Sequence, residues 1–466
     1  MNSPAASPGR RIWTAGTLTY TLAGVVSLFL WLLAGDFAWM MKERAITPVA
    51  QIMLRSFESP DWLVGLLVGS IPAGIGMILG PVVSVCSDRH RGRWGRRIPY
   101  LFIPTPFVAL AMFGLAVTPA LGEWLHQALG EHSPGLMGTR ILVFTFFWTA
   151  FEIGSIIVNT LFIALINDVV PKQVIGRFFA LFRAVSLIAG ILFNFFLMGK
   201  AQAHTIEIFG VLGLFYGIGF TLMCLKVKEG EYPPPEPVER VSRKGKRLEP
   251  LVRYLRECFT HRYYLCFFLA FTLGMIANAP VNAFSIFHAR SVGMSDDLYG
   301  KCLALSYVIS LILTYPLGSL ADRFHPIRVG LWATIIYAGV TLAGFVLPNE
   351  GNVFFVTFLL HTVISGIYLT GTASLAPRLL PQAKFAQFAS AASLVTAGCV
   401  MVLPPMLGTF IQVMGHQYRY AFLLGFLISA GSAGAYVLLL RGFYRHGGDA
   451  NYEPPIPEAE NEGLNR

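Results

Sequence analysis

About twelve runs of apolar residues follow one another along this chain, most of them twenty residues or longer, with short polar gaps between them. A run of about 20 apolar residues spans a hydrocarbon core of roughly 30 Å. Backbone N–H and C=O groups in lipid have no water to bond, so each run must close its hydrogen bonds internally as a helix. A β-barrel would show short alternating segments, and these runs are too long and too uniformly apolar for that. The expected fold class is therefore all-α and transmembrane. Spans are expected near 20–54, 62–86, 99–121, 139–166, 174–198 and 208–226, then at 263–287, 298–319, 329–348, 352–376, 385–411 and 418–440.

Composition agrees: 55% of the residues are hydrophobic and only 13% are charged, against about 25% charged in a soluble domain. The net charge of +10 is assigned to basic residues at the cytoplasmic membrane surface, with no nucleic-acid partner. The six cysteines are dispersed and include no CxxC pair, so neither a disulfide framework nor a zinc site is expected. The start, Met1 to Ile12, is short and polar and leads into the first span, so no cleavable signal peptide is expected.

Positive charge sets the orientation. The gap at 87–98 carries Arg89, Arg91, Arg93, Arg96 and Arg97, the segment 226–262 carries ten Lys or Arg residues, and the gap at 121–138 carries none. This is the positive-inside pattern, and it places both termini in the cytoplasm. Six spans, a polar connector and six spans suggest related halves. Ser87-Asp88-Arg89 after the second span returns as Ala321-Asp322-Arg323 after the eighth, half a chain later. The expected division is an N-terminal six-helix bundle at 1–227, a cytoplasmic linker at 228–261, a C-terminal six-helix bundle at 262–446 and a disordered cytoplasmic tail at 447–466. Bundles related in this way place a solute site near the midplane between halves. Short loops on a compact chain point to the bacterial inner membrane.

The stretch from Ser87 through Arg93, Arg96 and Arg97 to Pro99 resembles the loop between helices two and three of the major facilitator superfamily, and Gly318 to Arg323 resembles its second-half copy. Within that superfamily the chain resembles the glycoside–pentoside–hexuronide cation symporters and the sucrose-type proton symporters. The resemblance implies a twelve-helix fold of two six-helix bundles with pseudo-twofold symmetry. It also implies a conformational latch on the cytoplasmic side, carried here by Asp88, Arg89, Arg93, Arg96, Arg97, Asp322 and Arg323, with Asp168 and Arg177 beside it. A carboxylate can make short bonds there to guanidinium groups. The plainer reading of the outer arginines is contact with anionic lipid.

In the first span, Asp36-Phe-Ala-Trp39 followed by Thr47-Pro48 and Gln51 resembles the first helix of the sucrose-type carriers. Two placements stay open for Lys42, Glu43 and Arg44: the external interface, or a polar cavity inside the bundle if the helix runs to Leu54. Asp36 and Glu43 are seven apart and can share a face.

The fourth span carries Trp148, Glu152 and Asn159, with Asp168 beyond. A carboxylate near mid-membrane is costly as an ion, which suits a group that loads and unloads a proton. The sixteen-residue gap from Glu152 to Asp168 matches the sucrose-type carriers. Their arginine eleven residues after the acid is Ile163 here, so Arg183 is the expected substitute. A fixed salt bridge from Glu152 to Arg183 or Arg44 is the structural alternative. Gly76 and Gly80 stand where melibiose-type carriers hold sodium-binding acids, so protons are the expected coupling ion and no metal is expected.

In the second half, Asn282, His361 and Gln387 are the candidate substrate contacts, with interhelical bonding as the alternative. The expected function is proton-coupled symport of a sugar, glycoside or small oligosaccharide by a monomer contacting membrane lipids, with no cofactor. An organic-anion or uronate symporter, or a lipid or amphiphile carrier, is the alternative. No nucleophile–base pair or metal cluster suggests an enzyme.

Overall fold

The computed structural model describes residues 12–232, 249–347, 350–381 and 384–455. Among the described residues the regular structure is helical apart from an isolated bridge between Gly92 and Gly95 and one small antiparallel hairpin, Trp13–Ala15 with Leu18–Tyr20, that the apolar pattern did not reveal. Its two-residue turn uses Gly16 at φ 57, a backbone conformation that suits a tight hairpin.

Among the described residues, eleven helices are long and apolar enough to cross a membrane. In chain order the first six are Leu22–Ser56, Asp61–Arg89, Ile98–Ala116, Leu136–Val169, Ile175–Phe196 and Thr205–Lys226. Arg262–Ser291 is the seventh, and Asp296–Phe324, a 29-residue helix with charged residues in its first turns, follows as the eighth long helix. Pro326–Val346, Gly351–Leu379, Phe385–Val413 and Tyr420–Arg445 complete the set as the ninth to twelfth. These ordinals are used below.

Local chemistry sets the ends and breaks. Thr21 caps the first helix by accepting from the Gly24 N–H at 3.2 Å, and Ser295 caps the eighth by accepting from the Leu298 N–H at 3.2 Å. The seventh helix breaks at Ala277 and Asn278. Pro280, just beyond, has no N–H to give to the carbonyl one turn back. The second helix contains a π-helical turn over Leu66–Ser70, the one-residue widening that helices carry at special positions.

The chain forms two compact units, Met1–Ser59 with Ile75–Pro237, and Pro60–Gly74 with Val238–Arg466. The expected boundary at 227 is thus modified: the opening of the second helix groups with the second unit. In the first unit the first helix packs on the fifth and sixth, and the third on the fourth and sixth. In the second, the twelfth packs on the seventh and ninth, and the tenth on the eighth and ninth. There the start of the second helix lies against the eleventh. Gly65 and Gly69 lie against Pro404, where any larger side chain would collide. Asp61, fully buried, meets His416 Nδ1 at 2.6 Å.

The core of the second unit is aromatic: Tyr264, Phe267, Phe388, Tyr436 and Phe443 are buried together. Between membrane helices such rings stabilise by packing closely against one another rather than by leaving water.

The linker and tail depart from the sequence reading. Residues 233–248 and 456–466 lie outside the described residues, but Glu249–Phe259 is a helix. The expected disorder from Gly447 does not hold over 447–455. A short helix, Gly448–Asn451, turns the chain back, Tyr452 Oη donates to the Leu379 carbonyl at 2.7 Å, and the Pro455 carbonyl accepts from Tyr264 Oη at 2.7 Å. Polar composition suggested a solvated tail, whereas one tyrosine and the prolines after it supply the contacts that order this stretch.

Candidate functional site

The first helix runs 35 residues without interruption, so Lys42, Glu43 and Arg44 lie well inside it rather than at its end. The helix repeat puts Asp36, Trp39 and Glu43 on one side, facing the fourth, fifth and sixth helices. Lys42 has no solvent exposure. Its Nζ donates to Glu43 Oε1 at 2.6 Å and to Ser155 Oγ at 2.9 Å. Around the same ammonium stand Trp39, Phe151 and Tyr216, with ring centroids at 3.8, 4.6 and 5.3 Å. A cation removed from water is costly unless paired, and here one carboxylate, one hydroxyl and three aromatic faces replace the water.

Glu152 lies one helical turn before Ser155, half-buried, within electrostatic reach of both Lys42 and Glu43. Lys42, contributed by the first helix, is thus a cation beside it. Arg183, the expected substitute for the arginine absent at Ile163, is exposed on the fifth helix. Arg44 Nη2 donates to Ser186 Oγ at 2.9 Å and attracts Asp36. Asp36 is fully buried, and neither of its carboxylate oxygens has a hydrogen-bond partner among the described residues. A buried acid without a bonding partner costs free energy, so a group that satisfies it would bind with advantage.

The indoles of Trp39 and Trp148 are buried. Trp39 holds Lys42 on its face, and Trp148 stacks on Phe144 with centroids 5.6 Å apart and planes 12° from parallel. Both rings are thus occupied by protein groups in this structure. Gln51 is buried, and Asn159 is exposed on the fourth helix.

A second cluster forms where the second helix ends. Asp168 accepts from Arg96 Nη2 at 2.7 Å and from Arg97 Nε at 3.1 Å. Arg97 also donates to Asp88 Oδ1 at 2.5 Å and to Ser87 Oγ at 3.1 Å. Asp88 and Asp168 thereby share one guanidinium. Arg177, paired with Asp168 in the sequence reading, is exposed, as are Arg89 and Arg93.

Sequence reasoning missed the carboxylate that organises this end. Glu229 accepts from the backbone N–H groups of Arg96, Arg97 and Ile98 at 3.0, 2.8 and 2.7 Å, at the start of the third helix. An anion is stabilised at that position because the first N–H groups of a helix lack intrahelical partners. Tyr232 Oη donates to Glu229 Oε2 at 2.9 Å, and its ring lies 4.1 Å from the Arg96 guanidinium. Burial and the Glu229 charge raise the Tyr232 phenol well above its ordinary range, which keeps it a donor. The run Lys226 to Tyr232 looked like ordinary connector, and its only signal was an acid soon after the end of the sixth span.

In the second unit, His361 is fully buried, with Tyr337 Oη 2.7 Å from Nδ1 and Asn282 Oδ1 3.0 Å from Nε2. Asn282 is exposed. Gln387 is engaged elsewhere: its Nε2 donates to Glu257 Oε2 at 2.9 Å, beside Lys384 at 3.3 Å. It fastens the linker helix to the eleventh helix. Arg323 is exposed, and the side chain of Asp322 lies outside the described residues. Among the described residues, no three His, Cys, Asp or Glu side chains converge as a metal site would require.

A family model for MFS/sugar transport proteins matches residues 56–402. Sucrose transport protein SUC3 of Arabidopsis thaliana is 24% identical over 127 residues, 27% of this chain and 20% of that protein, so the match spans one fifth of the relative's length. Among solved structures, a bacterial homologue of the human lysosomal transporter Spinster superposes with a TM-score of 0.62 at 15% identity, over 92% of this chain and 98% of that one. A D-xylose–proton symporter superposes with a TM-score of 0.58 at 15% identity, over 88% and 96%. These likenesses fit a twelve-span fold. The long apolar helices make this a multi-pass membrane protein, and the chain belongs to the MFS/sugar transport protein family.

Proposed function

We propose that this protein carries a sugar, glycoside or small oligosaccharide together with protons across the bacterial inner membrane, with both termini in the cytoplasm and two halves related by a pseudo-twofold axis. The observation that carries the reading is Lys42: a fully buried ammonium bonded to Glu43 and within reach of Glu152. Two carboxylates then share one cation. Adding a proton to Glu152 leaves Lys42 to Glu43, and removing it restores the competition. A proton can thus change which groups hold the first and fourth helices together, which is what coupling requires. Inward movement of one proton contributes about 2.3 kcal/mol per 100 mV of potential. Asp36, held near Arg44, is the candidate acceptor for substrate hydroxyl groups.

Solute-driven alkalinisation in proteoliposomes tests the reading. The wild type is expected to take up protons with solute. Glu152→Gln is expected to exchange solute between compartments but not to concentrate it against a gradient. Concentrative uptake at the wild-type level in Glu152→Gln would remove Glu152 as the proton carrier.

A second reading has one observation behind it: Lys42 and Arg44 put two cations beside Asp36 and Glu152. That favours an anionic sugar such as a uronate. Competition between neutral sugars and uronates for the same uptake decides between the two.

A further inference from the structure

One end of the seventh helix and one end of the twelfth enclose a strongly basic pocket in the second unit that the transport reading leaves unused. Its walls carry Arg262, Arg441, Arg445, His261 and His446, with Tyr263 between them, and its volume is about 490 Å³. No carboxylate lines it. The three arginines are exposed, and no hydrogen bond or ion pair engages them among the described residues. The nearby acids are turned to other tasks or lie outside the lining. Asp449 pairs with Arg328, Glu257 pairs with Lys384, and Glu453 reaches His446 through a backbone bond of 3.0 Å. Self-repelling positive charge of this density normally recruits a carboxylate or an anionic ligand.

The surroundings name the ligand class. Seven residues along the seventh helix from Arg262 stands Leu269, and seven residues back along the twelfth from Arg445 stands Leu438, each about half exposed. At 1.5 Å rise per residue, both leucines sit about 10 Å deeper than the arginines. Leu265 is exposed between the two levels on the seventh helix. A molecule filling the site would therefore meet guanidinium groups at one level and an apolar wall below, the profile of a phospholipid rather than a soluble anion. Gly442 completes the shape, because a side chain there would collide with the Tyr263 ring and fill the groove. The N–H groups at the start of the seventh helix favour an anion, and the carbonyl end of the twelfth opposes it, so the arginines must dominate.

We propose that this pocket binds the headgroup of an anionic glycerophospholipid, with the two-phosphate headgroup of cardiolipin the best fit to three guanidinium groups. Basic pockets between membrane helices recognise such headgroups by short charge-assisted bonds, each basic residue contributing about fivefold in affinity. The site is separate from the Lys42 cluster, so its test is independent of the transport reading.

The purified full chain would be placed in phosphatidylcholine nanodiscs doped with cardiolipin or, at equal charge, phosphatidylglycerol, and bound lipid would be counted by native mass spectrometry. Retention of cardiolipin over phosphatidylglycerol is expected. Arg441→Gln and Arg445→Gln should each weaken cardiolipin retention about fivefold, and the triple variant with Arg262→Gln should abolish the preference. A control, Lys172→Gln with Lys228→Gln, removes surface charge elsewhere and should retain it. If the triple variant does not fold, the two single variants carry the test. Equal retention in single variants and wild type would overturn the proposal. So would an equal loss in the control, or thermal stabilisation by inorganic phosphate alone that matches cardiolipin.

Discussion

Lys42 places its ammonium 3.8 Å from the centroid of the Trp39 ring, three residues earlier on the same helix. In a site without water, a cation–π contact of this kind stabilises by about 2 kcal/mol. Lys42→Met keeps the stem and removes the charge, leaving Ser155 without the donor at 2.9 Å. The expected cost is about 1–3 kcal/mol, seen as a drop in the detergent unfolding midpoint. In a double-mutant cycle, Lys42→Met and Trp39→Leu should couple by about 1–2 kcal/mol. Additive effects would show that the ring is only packing.

Glu229 should matter out of proportion to its place in a connector. Glu229→Ala removes the acceptor for three backbone N–H groups and for the Tyr232 phenol. The loss expected from helix-cap measurements is about 1–2 kcal/mol. Glu229→Gln keeps one oxygen and should lose less. The comparison of unfolding midpoints checks both, and a neutral Glu229→Ala would show that this carboxylate does not stabilise the start of the third helix.

His325 gives the second unit a pH dependence with a definite sign. Burial, with Arg378 and Arg328 nearby, lowers its imidazole from the ordinary value of 6.5, while Asp449 pulls the other way. Its Nδ1 accepts from the Ile327 N–H at 3.3 Å, capping the ninth helix, which requires an unprotonated nitrogen. The unfolded chain therefore binds a proton more readily than the folded one. The contribution is fully present above about pH 6.5 and is lost as pH falls from there toward the lower folded value. His325→Asn removes the imidazole and keeps a side chain able to cap the ninth helix. The unfolding midpoint should fall less between pH 7.5 and 5.5 in that variant than in wild type; identical slopes would assign the titration elsewhere.

Tyr452 fastens the end of the described chain. Its hydroxyl bonds to the Leu379 carbonyl and lies 2.9 Å from Tyr263 Oη. Tyr452→Phe deletes both bonds and should cost about 1–2 kcal/mol, with faster proteolysis after Arg445 as a second readout. No change in either would mean that this stretch rests on the bundle without stabilising it.

The helices were legible because the membrane imposes a period and a length that apolar runs must meet. Only polar breaks inside those runs stayed ambiguous. The register of Asp36, Thr47 and Gln51 favoured the long first helix, and that helix places Lys42 inside the first unit. That Lys42 stands beside Glu152 was not legible, because the spacing of basic residues within apolar runs does not say which helices pack together. The partners of Glu229 and Gln387 were not legible for a related reason. Each acts across more than a hundred residues of chain, on Arg96 and Glu257 respectively. Single-sequence reasoning sees spacing within a helix and has no view of such partners.

The π-helical turn over Leu66–Ser70 carries one residue more than an α-helical turn would need. Everything after it on the second helix is thereby phased about 100° around the axis from where an unbroken helix would put it. At and before this turn Gly65 and Gly69 meet Pro404; well after it Asp88 meets Arg97. Excising a single residue from this turn would straighten the ladder of bonds and rotate each later residue of the helix about its axis: a deletion that regularises the rod and changes the faces it presents.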